Sequence, residues 1–210
     1  MRHLLLFLPV LVCLAIGCSR EEEPEREIPD RGDVEIPDPV FRAYCLRNFD
    51  RDGDGALSSS EARLIRRVNC RGMEIHSLAG IERFPNLDSL VCMDCHSLKE
   101  LDVSANRSLR VLICHNCDLS TLDLSFNPAL KTLGCSGNTR LGVLNVGSNP
   151  NLTLLSCFNM NLRTLNVSRN PRLDTLICGG NKLFSLNVTR NRELVWLDVS
   201  QGWAWSRTEK

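Results

Sequence analysis

Three aspartates at alternating positions, Asp50, Asp52 and Asp54, begin a twelve-residue segment whose oxygens could bind a hard cation. Gly55 permits a sharp turn after them, and Glu61 brings two more oxygens at the twelfth position. Ca²⁺ takes roughly six to eight oxygen ligands from carboxylates, carbonyls, hydroxyls and water. The spacing predicts a calcium site with these ligands: Asp50, Asp52, Asp54, the carbonyl of Ala56, Ser58 and Glu61.

The flanks of this loop favour helices. Asp38-Pro39 is typical of a helix start. The first helix would have one apolar face: Phe41, Tyr44, Cys45 and Phe49. A second short helix would have another: Leu64, Ile65 and Val68.

This order of helix, loop and helix resembles an EF-hand, a motif that usually occurs in pairs. The sequence contains one such loop, so we expect residues 38–68 to pack against the rest of the chain as an N-terminal cap. The alternative is that Ser58 and Glu61 form only a capping box and the aspartates a solvated turn.

Cysteine forms a second pattern. Six cysteines recur at intervals of 21 or 22 residues: Cys70, Cys92, Cys114, Cys135, Cys157 and Cys178. Cys95 and Cys117 complete two CxxC pairs with 18 residues between them, a spacing that also fits a zinc ribbon. Buried free thiols, a Cys95–Cys117 disulfide and a zinc site are all open. The repeat positions favour free thiols, because Cys there acts as a small core residue.

These cysteines belong to a longer repeat. Units of the form Leu-x-x-Leu-x-Cys alternate with units that contain Leu-x-Val or Leu-x-Leu, such as Leu101-Asp102-Val103. A sustained period of this kind indicates a solenoid, since one unit cannot bury its own apolar face. The Cys units predict successive strands of a parallel sheet, with the Val units on the opposite side. Five asparagines predict a ladder bonded to loop backbone: Asn106, Asn127, Asn149, Asn170 and Asn191.

The repeats resemble bacterial leucine-rich repeats, and residues 75–84 are similar to the opening repeat of internalin-like proteins. The resemblance implies a ligand-binding or adhesive protein without enzymatic activity. We therefore predict an α/β fold: a leucine-rich-repeat solenoid over residues 69–200, capped N-terminally by the EF-hand-like unit. Residues 201–210, with Trp203 and Trp205, are expected to cover the last turn.

The N-terminus predicts export. Residues 1–17 combine a basic start with a short apolar run, as in a signal peptide, and Leu14 to Cys18 resembles the lipobox of bacterial lipoproteins. By that resemblance Cys18 is lipidated. Residues 18–37 read as a disordered tether, and the acidic run Glu21–Glu23 resembles the export tag of surface lipoproteins in Bacteroidetes-type bacteria. We expect an outer-membrane lipoprotein, attached to the membrane through its lipid only.

The outward residues of the Cys strands predict a partner face. They are Val91, Met93, Val111, Ile113, His115, Leu154, Phe158, Ile177 and Trp196. A soluble protein rarely leaves such an apolar row without use. The alternatives are that lipid, a neighbouring molecule or the tether covers the row, or that strand propensity selected these residues.

The sequence does not predict an enzyme, because it contains no nucleophile with a base and no glycine loop for phosphate. The 25 basic and 25 acidic residues balance, which disfavours nucleic acid as a partner. We expect a non-enzymatic surface lipoprotein that binds a protein or glycan through the solenoid, with a structural calcium site. The alternative is a structural subunit of an outer-membrane envelope assembly.

Overall fold

The computed structural model describes residues 32–200. The predicted signal peptide, Cys18 and the predicted cap at 201–210 lie outside these residues. Two helices come first, α1 (Pro39–Phe49) and α2 (Ser59–Ala62), and a 3-10 turn covers Ile81–Arg83. Seven strands follow one another in a single parallel sheet: β1 (Arg67–Asn69), β2 (Ser89–Val91), β3 (Val111–Ile113), β4 (Thr132–Gly134), β5 (Leu154–Ser156), β6 (Thr175–Ile177) and β7 (Trp196–Asp198). The parallel solenoid expected from the repeat is confirmed.

Each strand is short because only its middle residue points into the core. From β2 to β6 this residue is always leucine, fully buried and paired in register with the next one: Leu90, Leu112, Leu133, Leu155 and Leu176. The residues on either side point out of the sheet, as strand geometry requires. The cysteine that follows each strand is buried again. A continuous column of leucine and cysteine therefore forms one wall of the core.

A left-handed residue turns the chain after each strand. The φ angle is +62° at Asp94, +53° at Asn116 and +59° at Asn159, and the equivalent positions Gly137 and Gly180 have φ of +78° and +64°. Only Gly, Asn and Asp adopt this conformation at low cost. The residue types at this offset are thus dictated by the backbone turn.

The asparagine ladder is confirmed on the opposite side of the coil. All five side chains are at most 5% exposed, and each Nδ2 donates two hydrogen bonds of 2.8–3.1 Å to backbone carbonyls of the preceding turn or turns. Asn149, for example, donates to the carbonyls of Leu124 and Asn127. The ladder gives a second donor to buried loop carbonyls that each accept one backbone N–H already, as the carbonyl of Leu124 accepts from Asn127 at 3.1 Å.

Helix α1 packs against the first turn of the solenoid. Phe41 is fully buried, with its ring centroid 6.4 Å from that of Phe84. The hydroxyl of Tyr44 accepts a 2.9 Å hydrogen bond from the backbone N–H of Asn69 at the end of β1. Asp38 accepts from two N–H groups of the helix and from two of the loop at His76 and Ser77. The helix therefore closes the N-terminal end of the core.

Two sequence predictions are wrong in this region. The second helix does not reach Val68: α2 ends at Ala62, Leu64 is 57% exposed and Val68 is the buried residue of β1. The predicted EF-hand-like cap over 38–68 is thus not confirmed, because the second helix has only four residues. The tether is also shorter than 18–37, because Val34 and Ile36 are buried in the core cluster. Their alternation is a strand signal that the polar composition obscured.

Candidate functional site

The cation loop brings together the three predicted aspartates. Asp50, Asp52 and Asp54 each place a carboxylate oxygen within 4.8 Å of the others. Both oxygens of Asp50 also accept backbone hydrogen bonds, from Gly53 at 2.7 Å and Gly55 at 3.0 Å. This is the only such group of potential metal ligands in residues 32–200. The loop is therefore curled around a compact set of acidic oxygens.

Glu61 lies outside this cluster and caps α2. Its Oε1 accepts from the N–H of Arg51 at 2.6 Å, and its Oε2 accepts from the N–H of Ser58 at 2.9 Å. The Ser58 hydroxyl completes a capping box by accepting from the N–H of Glu61. These donors, Arg51 first, hold the pKa of the Glu61 carboxyl below its ordinary value. The capping box that was the alternative interpretation is present, beside the clustered aspartates.

The single loop obtains a strand partner from its own chain. The N–H of Val34 donates to the carbonyl of Leu57 at 2.7 Å, and Asp33 forms an antiparallel bridge with Ser58. The Ser59 hydroxyl donates to the carbonyl of Gly32 at 2.7 Å. Residues 32–34, which precede α1, therefore hold the C-terminal half of the cation loop through these contacts.

All nine cysteines in the described part of the chain are free and buried. The thiol of Cys95 donates to the carbonyl of Cys70 at 3.2 Å, and that of Cys117 donates to the carbonyl of Cys92 at 3.1 Å. One turn later Asn138 donates to the carbonyl of Cys114 at 2.8 Å. The second cysteine of each CxxC pair thus occupies the repeat position that Asn138 occupies one turn later, and makes the same kind of hydrogen bond.

Burial also makes the strand cysteines unreactive. All three of Cys114, Cys135 and Cys157 are fully buried, and this burial raises the pKa of their thiols well above the ordinary value. The thiolate is the reactive form. These residues therefore act as small apolar side chains in the core.

A thiol count discriminates among the three states of the cysteines. We expect no rapid reaction of the native protein with a thiol reagent, and release of all nine thiols of residues 32–200 on unfolding. The assay is spectrophotometric titration with and without denaturant, together with metal analysis. A count lower by two would indicate a Cys95–Cys117 disulfide, and stoichiometric zinc would contradict the free thiols.

The nine predicted partner residues all lie on one side of the sheet, here termed the sheet face. They occupy three positions of the repeat. The first strand residue provides Val111, Leu154 and Trp196, the third provides Val91, Ile113 and Ile177, and the residue after the cysteine provides Met93, His115 and Phe158. Eight of them are half-buried, whereas Trp196 is 62% exposed.

The apolar row is interrupted at β4. Strand β4 contributes only Thr132, Gly134 and Ser136 to the same three positions. Its neighbours in register are Val111 and Ile113 of β3. A narrow polar gap therefore separates the apolar residues Val91, Met93, Val111 and Ile113, here termed the β2–β3 patch, from those of β5. The sequence prediction of one continuous row missed this gap, although the equivalent repeat positions contain the information.

His115 fills part of this gap. A side chain at Gly134 would collide with its imidazole, and its Nδ1 accepts a 2.9 Å hydrogen bond from the N–H of Ser136. Burial lowers the pKa of His115, and the nearby carboxylate of Asp94 opposes this only in part. The Ser136 hydroxyl in turn accepts from the N–H of Phe158. His115 is therefore a half-buried hydrogen-bond acceptor on the sheet face.

Comparison with solved structures places this chain among internalin-like leucine-rich-repeat folds. InlP from Listeria monocytogenes matches with a TM-score of 0.64 and 20% identity, over 79% of this chain and 52% of that one. Internalin C2 from the same species matches with a TM-score of 0.58 and 16% identity, over 83% and 90%. The functional domain of InlJ, described as including a cysteine ladder, matches at 0.50 and 23%, over 80% and 46%.

At these identities the likeness establishes the fold alone. The chain spans about half the length of the InlP and InlJ structures. No protein-family model and no curated protein matches it. Within residues 32–200 no helix is both long enough and apolar enough to cross a membrane. The protein is thus a parallel-strand solenoid whose fold matches leucine-rich-repeat structures.

Proposed function

We propose that this protein is a non-enzymatic, surface-anchored binding protein that holds a protein or glycan partner against the sheet face. The observation that carries the proposal is the alignment of nine mainly apolar side chains on one side of seven paired strands. Solenoids commonly use such an extended surface for recognition. Because the strands are held by a continuous core, the face is preorganised, which limits the entropy lost on binding.

A binding screen tests this proposal. The purified chain is presented to extracellular proteins and glycans, with and without calcium, beside a variant with Val91→Glu, Ile113→Glu and Phe158→Glu. We expect at least a hundredfold weaker binding in the variant, because each substitution buries a charge against the partner. The matched control substitutes Val143→Glu and Phe126→Glu, which are 76% and 50% exposed and lie outside the sheet face. Equal binding by both variants would overturn the proposal.

The composition of the sheet face favours a protein partner over a glycan. The face is mainly aliphatic, with Val91, Val111 and Ile113 adjacent on β2 and β3. Aliphatic surface complements apolar protein side chains, whereas sugar sites depend on convergent polar groups and aromatic rings. Enrichment of glycans and not of proteins in the screen would reverse this preference.

Calcium in the N-terminal loop is part of the same proposal. Asp50, Asp52 and Asp54 would supply carboxylate oxygens, and Ala56 its carbonyl. Hard oxygen donors at this spacing suit Ca²⁺. Glu61 would join only by giving up its hydrogen bonds from Arg51 and Ser58. The ion would offset two of the three clustered negative charges and so stiffen the loop between α1 and α2.

Calcium should stabilise the protein measurably. With an affinity on the order of 10⁻⁴ to 10⁻³ M, about 10 mM calcium would add about 1.5–3 kcal/mol to the free energy of unfolding. Thermal unfolding with calcium or chelator, and calorimetric titration, measure this. Asp52→Asn should abolish most of the effect, whereas Asp123→Asn, an exposed aspartate on the opposite side, should leave it unchanged. Absence of heat and of stabilisation at millimolar calcium would contradict the site.

Anchoring through a lipid on Cys18 places the solenoid at the outer membrane in this proposal. The support is the lipobox-like sequence and the acidic run that follows it. The alternative function, a structural subunit of an envelope assembly, would leave the solenoid inside the envelope. Protease treatment of intact cells separates the two: digestion of the solenoid supports surface display, and protection supports the envelope subunit.

A further inference from the structure

Charged residues are concentrated at the β1 end of the sheet face. Arg67 points outward from β1, Arg66 precedes the strand and Arg71 follows it, and all three are exposed. Arg71 is paired with Asp94, with 3.2 Å between Nε and Oδ2. Arg66 and Arg67 have no ion-pair partner within residues 32–200. This end of the face therefore has uncompensated positive charge.

A further positive charge lies beyond the β2–β3 patch. Arg110, one residue before β3, is 3.5 Å from Asp88, whereas the exposed Lys131, one residue before β4, has no such partner among the described residues. The apolar patch is thus preceded by β1, where Arg66 and Arg67 lie beside Asp88 and Ser89 of the next turn, and is followed by Lys131 before β4. The far end of the face is opposite in sign, with Asp174 before β6 and Asp198 in β7.

We propose that the β1–β4 part of the sheet face binds an extended protein segment that is apolar in its middle and acidic on both flanks. This inference rests on the proposed binding function and names the chemistry of its partner. The apolar middle would pack on Val91, Val111 and Ile113, and burial of their surface would supply most of the affinity. The acidic flanks would lie over the basic residues, which speeds association and disfavours basic competitors.

The spacing of the strands sets the length of such a segment. Adjacent strands lie about 4.8 Å apart, so β1 and β4 are separated by roughly 14 Å. An extended chain covers about 3.3 Å per residue, and its acidic residues should therefore be about four positions apart. The peptide would lie across the strands and contact their outward side chains. It could not add to the sheet as a further strand there, because the middle strands are paired on both sides.

The test uses synthetic peptides of about twelve residues that share one apolar centre and carry flanks of Asp and Glu, of Ser and Gln, or of Lys and Arg. The purified chain should bind acidic flanks about tenfold more tightly than neutral ones and basic flanks least. Raising NaCl from about 50 to about 500 mM should remove most of this preference, since exposed charges are screened by salt.

Matched variants locate the effect. Arg66→Gln with Arg67→Gln should abolish the preference for acidic flanks, whereas Arg169→Gln with Arg190→Gln, an equal charge change at exposed positions away from the sheet face, should preserve it. No preference, or equal loss in both pairs, would overturn the inference. If binding depends on Val91 and Ile113 but not on the flanks, the binding function stands and only the partner chemistry is wrong. If no peptide binds and the sheet-face variant also leaves the protein screen unchanged, the binding function fails as well.

Discussion

Replacing Asn149 by aspartate is expected to lower the free energy of unfolding by about 4 kcal/mol. The side chain keeps its shape but loses both Nδ2 donors, which bond the carbonyls of Leu124 and Asn127 at 3.0 and 2.9 Å. Each carbonyl would keep only its backbone donor, the N–H of Asn127 or of Leu130 at 3.1 Å, and a carboxyl group would face both carbonyls at a site with 0% exposure. Urea unfolding of the two proteins measures the change.

Asn145→Asp is the matched control for this substitution. Asn145 lies four residues earlier and is exposed, and its Oδ1 accepts from the N–H of Gly147 at 3.0 Å. Aspartate already occupies the equivalent positions 102 and 123 and accepts the same kind of bond. We expect this variant to remain within about 0.5 kcal/mol of the parent. Comparable losses in the two variants would mean that the ladder does not stabilise the solenoid.

Removing the Asp38 carboxylate is expected to lower the free energy of unfolding by about 3 kcal/mol. Its two oxygens accept four backbone hydrogen bonds of 2.8–3.2 Å, from Val40 and Phe41 in α1 and from His76 and Ser77 in the first turn. No other residue could cap the helix and fix the loop together. Chemical unfolding of Asp38→Ala measures the loss, and Glu74→Ala, which removes an exposed acid nearby, is the control.

The contribution of Asp38 should also depend on pH. Burial alone would raise the pKa of this carboxyl. The four N–H donors, led by that of Phe41, have the larger combined effect and hold the pKa below its ordinary value of 3.8. A lowered pKa in the folded state means that its stabilisation is complete above the unfolded value and is lost as the pH falls through the folded one. The difference between parent and Asp38→Ala should therefore shrink below about pH 4. A constant difference down to pH 2 would contradict this.

The repeat made the architecture predictable. Burial of leucine and cysteine at fixed offsets is a local pattern, and a period of 21 or 22 residues leaves one regular way to stack it. The asparagine ladder followed for the same reason, because Asn106 and its equivalents recur at the same offset of each turn and donate to carbonyls of the turn before. The aspartates of the cation loop also came together as predicted, since Asp50, Asp52 and Asp54 are close in sequence.

The N-terminal errors arose where no repeat constrained the chain. Helical spacing alone placed Val68 on a helix, but pairing with Leu90 across the sheet makes it a strand residue. The composition of residues 18–37 indicated disorder, yet Val34 bonds to the carbonyl of Leu57 and enters the core. Contacts between distant segments outweighed the local preference in both cases.

The sequence alone therefore specified which residues are buried, how the strands follow one another and which loop carries the acidic oxygens. These properties depend on periodicity and on short spacings. The tertiary fold specified which outward residues meet. Ile113 lies beside Gly134, His115 bonds to Ser136, and Arg67 lies beside Ser89 of β2 only because residues about 21 or 22 apart pair in register. The composition of the sheet face is a property of that register, which no single repeat contains.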